Sequence, residues 1–534
     1  MKSSSGTVRS TAVVMISTLV SRLLGFVRIA VIGAIFGASG SADVLNVVFN
    51  IPNNLRKLLA EGALSSAFIP ALSRSHVEDA SGTTAKGLVR RLIGFQLVIL
   101  VPIITISMLA PQLIVDVILD FPEEERQLLA AQLFRWFILY LLLISIAAVL
   151  MGTLNAHGQF LVPAVSPLWF SVAVIGSILL LHRYLGVYSM VVGVLLGGTG
   201  QLTMQVPSII ARGYSLVPSL ELRDPVFRRV LRQWIPVVST ASVFTINQQI
   251  ALFFASGLAD GSSSAMTNAI VFWQLPFGIF AASITTVLFP AMSRRHAAGN
   301  TEELARDIEN GVRSILMLLL PAGVGLMVLG HEMIAVALQR GAFTLAATRE
   351  TARVLAYYSV GLFSVGAFTF LQRVSYACDD YRTPLRAAII TVVIDVVLSL
   401  WLKETVLGVA GLALANTIAF TAGLVLYIPP LRRYAPEISF PRVGRAVFPA
   451  VAASTAAVAM VGVVRLIFAA FNVSGEWWAR GSSWPALALF LCEAIPALAT
   501  LVGVYHLFGF SIGALRRGNT EPSGQVHDEN SRNL

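Results

Sequence analysis

Apolar residues in this chain come in long runs, broken by short polar segments, and do not alternate with polar ones. A run of about 20 residues is the helix length that crosses the hydrocarbon core of a bilayer. Fourteen stretches fit this pattern: 8–37, 43–71, 88–116, 129–154, 161–181, 186–210, 233–256, 265–291, 311–339, 349–377, 384–402, 406–429, 444–471 and 484–511. The first contains Arg22 and Arg28 and lacks a small-residue cleavage site, so it reads as a permanent helix and not a signal peptide. Several runs exceed the minimum length, which predicts tilt or projection beyond the membrane.

The loops orient these spans. With the N-terminus inside, about twenty Lys and Arg fall on the cytoplasmic side, against Arg126, Arg183, Arg340, Lys403 and Arg480 outside. The acidic loop 120–125, DFPEEE, falls outside, and fourteen spans return the polar tail 518–534 to the cytoplasm. That tail has the composition of a disordered segment.

The pattern repeats. Pro70-Ala-Leu-Ser-Arg-Ser-His76 recurs as Pro290-Ala-Met-Ser-Arg-Arg-His296, and Ala156…Pro163 is echoed by Ala377…Pro384. Six spans fit one period, an even number, so the copies share an orientation and form parallel repeats about the membrane normal. The expected architecture is an all-α polytopic membrane protein with about 14 transmembrane helices. It has an N-lobe (1–212), a C-lobe (213–430), an added helix pair (431–517) and the tail (518–534).

Composition narrows the class. The 534 residues are 56% hydrophobic and only 12% charged, and the mean hydropathy is +0.77. Soluble proteins carry about 25% charged residues. The net charge of +10 follows from positive inner loops and gives no reason to invoke nucleic acid. Cys378 and Cys492 are far apart and form no metal-ligand spacing, so both read as packing residues. There is no P-loop, GxSxG or HExxH and no histidine cluster, which excludes the enzyme classes those motifs define. Gly33–Gly37 and Gly193–Gly197 are GxxxG close-packing sites.

Charges inside the spans are the exception that points to function, because a charge at the bilayer centre costs roughly 2.5–3.5 kcal/mol. Arg22 and Arg28 lie six residues apart, about 240° around a helix. Both face one cavity only if the helix bends near Gly25 or the cavity is broad; otherwise they snorkel to an interface. Asp43 follows the small-residue turn GASGSA and is either a partner for an arginine at the outer mouth or a helix N-cap. Pro52 kinks the second span, and Asn53 and Asn54 are placed to satisfy the freed backbone groups or to meet polar groups of the substrate, with Asn53 a candidate substrate ligand beside Arg22, Arg28 and Arg56. Arg56 and Glu61 are spaced to pair, in the cavity or at the surface. Arginine's fork binds phosphate bidentately, so three arginines favour a phosphate-type anion. In the C-lobe, Asp395 with Ser399, Asn247 and Thr417 is a candidate Na⁺ or proton site, or a polar contact holding helices together.

One family carries these residues in the same order. Ser21-Arg22-x-Leu-Gly25-Phe26-x-Arg28, Phe36-Gly37, Ala42-Asp43, Pro52-Asn53-x-Leu-Arg56 and Ala60-Glu61-Gly62-Ala63 closely resemble the N-terminal signature of the MurJ/MviN family. Leu154-Asn155-Ala156, Leu288-Phe-Pro290, Gly341-Ala-Phe-Thr344 and Thr383-Pro384 extend the resemblance over the first twelve spans. The family belongs to the multidrug/oligosaccharidyl-lipid/polysaccharide exporter superfamily. Its members flip lipid II, the undecaprenyl-pyrophosphate-linked peptidoglycan precursor, across the bacterial cytoplasmic membrane.

The resemblance implies cationic cavity roles for Arg22, Arg28 and Arg56, with Asp43 and Glu61 at the family's acidic positions. It also implies a lipid-tail groove in the last two helices. The chain departs from the family pattern at Val271, where members often carry an arginine, and at Ala251, where some carry a Na⁺-binding aspartate. Asp395 stands where many have asparagine. Expected partners are lipid II, membrane lipids and cell-wall synthesis proteins. No cofactor is expected beyond coupling to Na⁺, H⁺ or the membrane potential. The rival readings are a flippase for another polyprenyl-linked oligosaccharide and a non-transporting scaffold that binds lipid intermediates.

Overall fold

The computed structural model describes residues 2–59, 68, 71–72, 74, 79, 82–473 and 476–509. Glu61, the first copy of the PALSRSH repeat apart from its residues 71, 72 and 74, and the tail 518–534 lie outside them. Among the described residues the protein is helical, with no strand.

The helices given by the described residues up to Ser256 are α1 (Lys2–Phe36), α2 (Ser41–Leu59), α3 (Thr83–Leu109), α4 (Pro111–Ile118), α5 (Glu124–Ala156), α6 (Leu161–Leu185), α7 (Tyr188–Ile210) and α8 (Pro225–Ser256). Then come α9 (Ser262–Pro276), a π-helical turn (Phe277–Ala281), α10 (Ala282–Ala297), α11 (Thr301–Leu338), α12 (Leu345–Val360) and α13 (Leu362–Ala377). The chain continues through α14 (Arg382–Leu402), α15 (Val409–Val425), α16 (Ile428–Tyr434), α17 (Phe440–Gly444), α18 (Val447–Ala470) and α19 (Trp484–Leu507).

Nine of the described helical stretches are long and apolar enough to cross a membrane, or ten if the bent pair α12–α13 is one span. The fourteen expected spans are reached only by adding α1, α2, α7 and α8.

Backbone geometry bears out the internal repeat. Gly40 and Gly261 both take left-handed φ, 58° and 86°, immediately before α2 and α9. Gly158 (φ 70°) is matched by Asp379 (φ 56°), and Gly186 by Gly408, both at φ 52°. The offsets match the one read from the sequence echoes. Beside Asp379, Asp380 caps the start of α14 by accepting from the Arg382 and Thr383 amides, both at 2.9 Å. Burial raises the pKa of its carboxyl, but the bonds from Thr383, Tyr434 and Arg382 outweigh that and leave it below the usual value.

The expected close-packing glycines do pack closely. A Cβ on Gly193 would lie 2.7 Å from the Val174 Cα, and one on Gly197 2.7 Å from the Phe170 ring. α7 therefore sits directly on α6. Gly33 and Gly37 bring the end of α1 against the Gly341–Phe343 loop, where the Ala342 amide donates to the Ala34 carbonyl at 2.8 Å. Gly341 itself has φ 57°, and a Cβ there would collide with the Ala34 carbonyl oxygen. Gly341→Ala is expected to lose at least about 1–2 kcal/mol from the backbone alone. A lowered melting temperature of the purified protein checks this, and an unchanged one contradicts it.

Residues just past the expected end of the first lobe at 212 pack back on it. Tyr214, Phe227 and Val230 share a core with Phe68, Leu88 and Leu154 of the first lobe. The final helix pair packs on α11, with Ala446, Ala453 and Tyr505 against Leu316 and Met317. Of the two cysteines read as packing residues, Cys378 is buried as expected, but Cys492 on α19 is exposed.

Candidate functional site

The two lobes meet where α2 and α9 begin. Asp260 accepts from the Gly40 amide at 2.8 Å, and Asp43 accepts from the Ser264 amide at 2.6 Å. Asn46 donates to the Ser264 hydroxyl at 3.1 Å, and Asn50 reaches Thr267 at 3.5 Å. The partners lie 217 to 221 residues apart, which is the repeat offset. Contacts between equivalent positions occur on a pseudo-twofold axis, so α2 and α9 lie along it. Each helix start is capped by an aspartate from the other lobe or its flanking turn, a use of the positive helix end.

Arg126 ties this closure together. It lies 3.0 Å from Asp43 and 2.7 Å from Asp260, and its guanidinium sits 5.0 Å over the Phe121 ring. Asp43 is 2% exposed. Asp43 therefore pairs with an arginine and caps a helix start of the other lobe, not its own. Sequence reasoning left Arg126 as a loop charge and missed Asp260. The repeat could have found Asp260, because Ser39-Gly40 before α2 has its counterpart in Asp260-Gly261 before α9.

Beneath the closure lie the expected arginines. α1 runs through Gly25 without a break, and a Cβ on Gly25 would meet nothing within 4 Å. The helix is continuous at Gly25, and the two arginines on it face different lobes. Arg22 points across to the second lobe, 3.7 Å from where a Cβ on Gly278 would stand. Arg28 turns to the first lobe and lies 5.2 Å over the Phe170 ring. Phe170 packs on Tyr140 and Phe49 at 5.2 and 6.4 Å, giving Arg28 an aromatic floor. Arg28 is within electrostatic reach of Arg56 and Tyr140. Among the described residues no carboxylate is within ion-pair distance of Arg22 or Arg28. Arg56 donates to Asn53 at 3.2 Å; its expected partner Glu61 is outside the described residues. By helical rise Arg28 lies about 12 Å below the end of α1, and Arg56 about 22 Å below the start of α2.

A second polar cluster lies in the C-lobe. Asp395, 4% exposed, accepts from Asn247 at 2.7 Å, Asn416 at 3.0 Å and Ser399 at 3.4 Å. Thr417 does not join it; its hydroxyl donates to the Tyr357 carbonyl at 2.9 Å. Asn416, one residue earlier and about 100° around the helix, takes that place. α8 contributes Asn247 to the cluster, with Ala251 one turn away packed against the apolar core. Val271 is part-buried on α9 and brings no charge to the cleft. Among the described residues there is no group of three His, Cys, Asp or Glu able to hold a metal.

Two helical lobes around a cationic cleft, closed at one end by ion pairs on a pseudo-twofold axis, define a membrane transporter of the alternating-access type. Two solved structures have this fold. One titled as lipid II flippase MurJ in an inward closed conformation matches with TM-score 0.76 and 24% identity, covering 93% of this chain and 99% of that one. An inward-facing multidrug resistance MATE family transporter of the MOP superfamily matches with TM-score 0.66 and 15% identity, covering 78% and 95%. The family described as Lipid II flippase MurJ matches residues 32–485, and the chain belongs to it. A relative from Borreliella burgdorferi, described as a probable lipid II flippase MurJ, is 34% identical over 418 residues, 78% of this chain and 82% of that one.

Proposed function

We propose that this protein is a lipid II flippase of the bacterial inner membrane. It moves the undecaprenyl-pyrophosphate-linked precursor from the cytoplasmic to the outer leaflet for peptidoglycan synthesis. The loop charges put the closed end, at Asp43 and Asp260, on the outer side, with both termini in the cytoplasm. The pyrophosphate head enters from the cytoplasm and meets Arg28, Arg56 and Asn53 on the first lobe and Arg22 from across the cleft. The polyprenyl tail stays in lipid along α18 and α19. Rocking of the lobes breaks the Asp43–Arg126–Asp260 closure and releases the head outward. The protein acts as a transporter, with no covalent step.

The observation that carries this reading is the set of cleft arginines in a member of this family, Arg28 lying on an aromatic floor and Arg22 and Arg28 facing no described carboxylate. A multivalent anion supplies what those cations lack. A cluster of fixed cations favours a phosphate-bearing substrate over the cations an acidic cavity would take. The test is complementation of a lipid II flippase depletion, read as lipid II at the outer surface. Growth without outward lipid II favours a scaffold, and export of a different polyprenyl-linked saccharide favours that rival.

Coupling is assigned to Asp395. A buried carboxylate held by two amides and a hydroxyl either binds a small cation, Na⁺ or H⁺, or pins α8, α14 and α15 together. Asp395→Asn keeps the hydrogen-bonding shape and removes the charge. It is expected to abolish the dependence of transport on an ion gradient, and undiminished ion dependence in the variant rules the coupling role out. A flippase driven by membrane potential alone would lose little in this variant.

A further inference from the structure

A pocket of about 370 Å³ opens on the outside of the first lobe, between α4, α5 and the start of α7. It is lined by Gln112, Leu128, Gln132, Arg135, Trp136 and Tyr188. It lies away from the cleft and plays no part in the closure.

The depth of the pocket follows from the helix ends around it. α3 stops at Leu109, α4 starts at Pro111, α6 stops at Leu185 and α7 starts at Tyr188. α4 itself leads to Leu119 and Asp120, whose amide donates outside the helix, to the Ser256 hydroxyl beside the closed end at 2.9 Å. Helices of a bundle end where hydrocarbon gives way to headgroups. The pocket is therefore at the interface of the leaflet on the closed side. Trp136 and Tyr188 suit that level, where amphipathic rings collect. The flanks are oily: Leu109 is 78% exposed, Leu113 71% and Val117 75%. No part of the described chain covers them.

Arg135 is the residue this setting must explain. It is exposed on the lipid side of α5, and its Nε donates to the Met108 carbonyl at 2.9 Å. That bond fixes the guanidinium plane and leaves the two terminal nitrogens over the pocket. Among the described residues no carboxylate is within ion-pair distance of it; the nearby Asp116 takes bonds from Gln112 at 2.8 Å and Gln127 at 3.0 Å. Gln132 is engaged by Tyr188, whose hydroxyl donates to it at 2.6 Å, so its amide NH₂ remains to donate. A cation at the edge of hydrocarbon needs an anion, and a planar fork beside an amide donor fits phosphate oxygens.

We propose that this pocket binds the phosphodiester of a membrane glycerophospholipid, with Arg135 as its principal ligand. The lipid's acyl chains lie along Leu109, Leu113 and Leu128. Its leaflet is the outer one, a detail that rests on the orientation proposed above; the binding itself does not.

The probe is a phosphatidylglycerol carrying a photoreactive group next to the phosphate, added to the full-length protein in nanodiscs. Such a measurement is blind to orientation and to flipping, so its failure leaves the flippase reading untouched. The expected result is labelling of the segment 105–136, reduced about tenfold in Arg135→Gln, the loss of one charge-assisted interaction. Competition by unlabelled phosphatidylglycerol is expected, with none from inorganic phosphate. Equal labelling of wild type and Arg135→Gln overturns the proposal. So does equal labelling by a photoreactive diacylglycerol without phosphate, or displacement by inorganic phosphate at the same concentration. Should Arg135→Gln not fold, the diacylglycerol and phosphate arms on the wild type decide the question.

Discussion

Cells depleted of their own lipid II flippase and supplied with the Arg28→Ala protein are expected to stop growing, with the protein still inserted in the membrane. Arg28 lies on the floor of Phe170 and Tyr140, facing the cleft and within electrostatic reach of Arg56. Two like charges held together in low dielectric repel. A pyrophosphate relieves that repulsion, so the head gains from both cations at once. Removing one cation takes away one or two charge-assisted hydrogen bonds, each worth about 1.5–3 kcal/mol, or roughly ten- to a hundredfold in affinity per bond. Folding should suffer little, because a neutral side chain above the aromatic floor relieves the Arg28–Arg56 repulsion. Arg28→Lys tests geometry against charge: partial rescue is expected, since an ammonium keeps the charge but loses the fork. Normal growth and outward lipid II with Arg28→Ala would refute the assignment.

Arg126→Ala is expected to unlock the outer face. The side chains of Arg126 and Asp43 are 9% and 2% exposed, so the pair is buried. Breaking a buried pair by removing one partner typically costs about 3–5 kcal/mol, because the remaining charge is left uncompensated. Asp43 would then face Asp260 across the lobe boundary with no cation between them, while both still cap helix starts of the opposing repeat. Two transporter states commonly differ by only a few kcal/mol, so this loss is enough to shift the resting population toward an outward-open form. A cysteine placed at Asn46, with Cys378 and Cys492 replaced, should react faster with a membrane-impermeant thiol reagent from outside in Arg126→Ala than in the parent. Cys492 must go because it is exposed. Equal rates would mean that the closure depends on the Ala34–Ala342 contact and on α2–α9 packing instead.

The two predictions differ in how far the sequence led. Arg22, Arg28 and Arg56 were visible because each breaks an apolar run, and a residue that breaks such a run needs a reason. The repeat was visible too, although its clearest expression is conformational: the left-handed pairs Gly40/Gly261, Gly158/Asp379 and Gly186/Gly408. Only one of these pairs was flagged by the sequence echoes. Arg126 looked like an ordinary loop charge, because nothing local distinguishes a loop arginine in water from one clamped between two aspartates. Thr417 looked as good a ligand as Asn416, because a one-residue step changes facing by about 100° and span boundaries are uncertain by more than that.

The stretch of apolar runs, the loop charges and the offset near 220 determined by themselves that this is a two-lobed helical membrane protein with its cations concentrated in one lobe. Hydrophobic length and charge bias act locally along the chain, so they are readable there. Only the tertiary structure decided which groups meet. It sent Arg22 across the cleft and Arg28 to the aromatic floor, because residues six apart on one helix lie about 240° apart around it. It placed Asp43 against a helix start more than 200 residues away, because a pseudo-twofold axis brings equivalent positions together. And it left Arg135 facing lipid beside a pocket, because the helices around it end at that level.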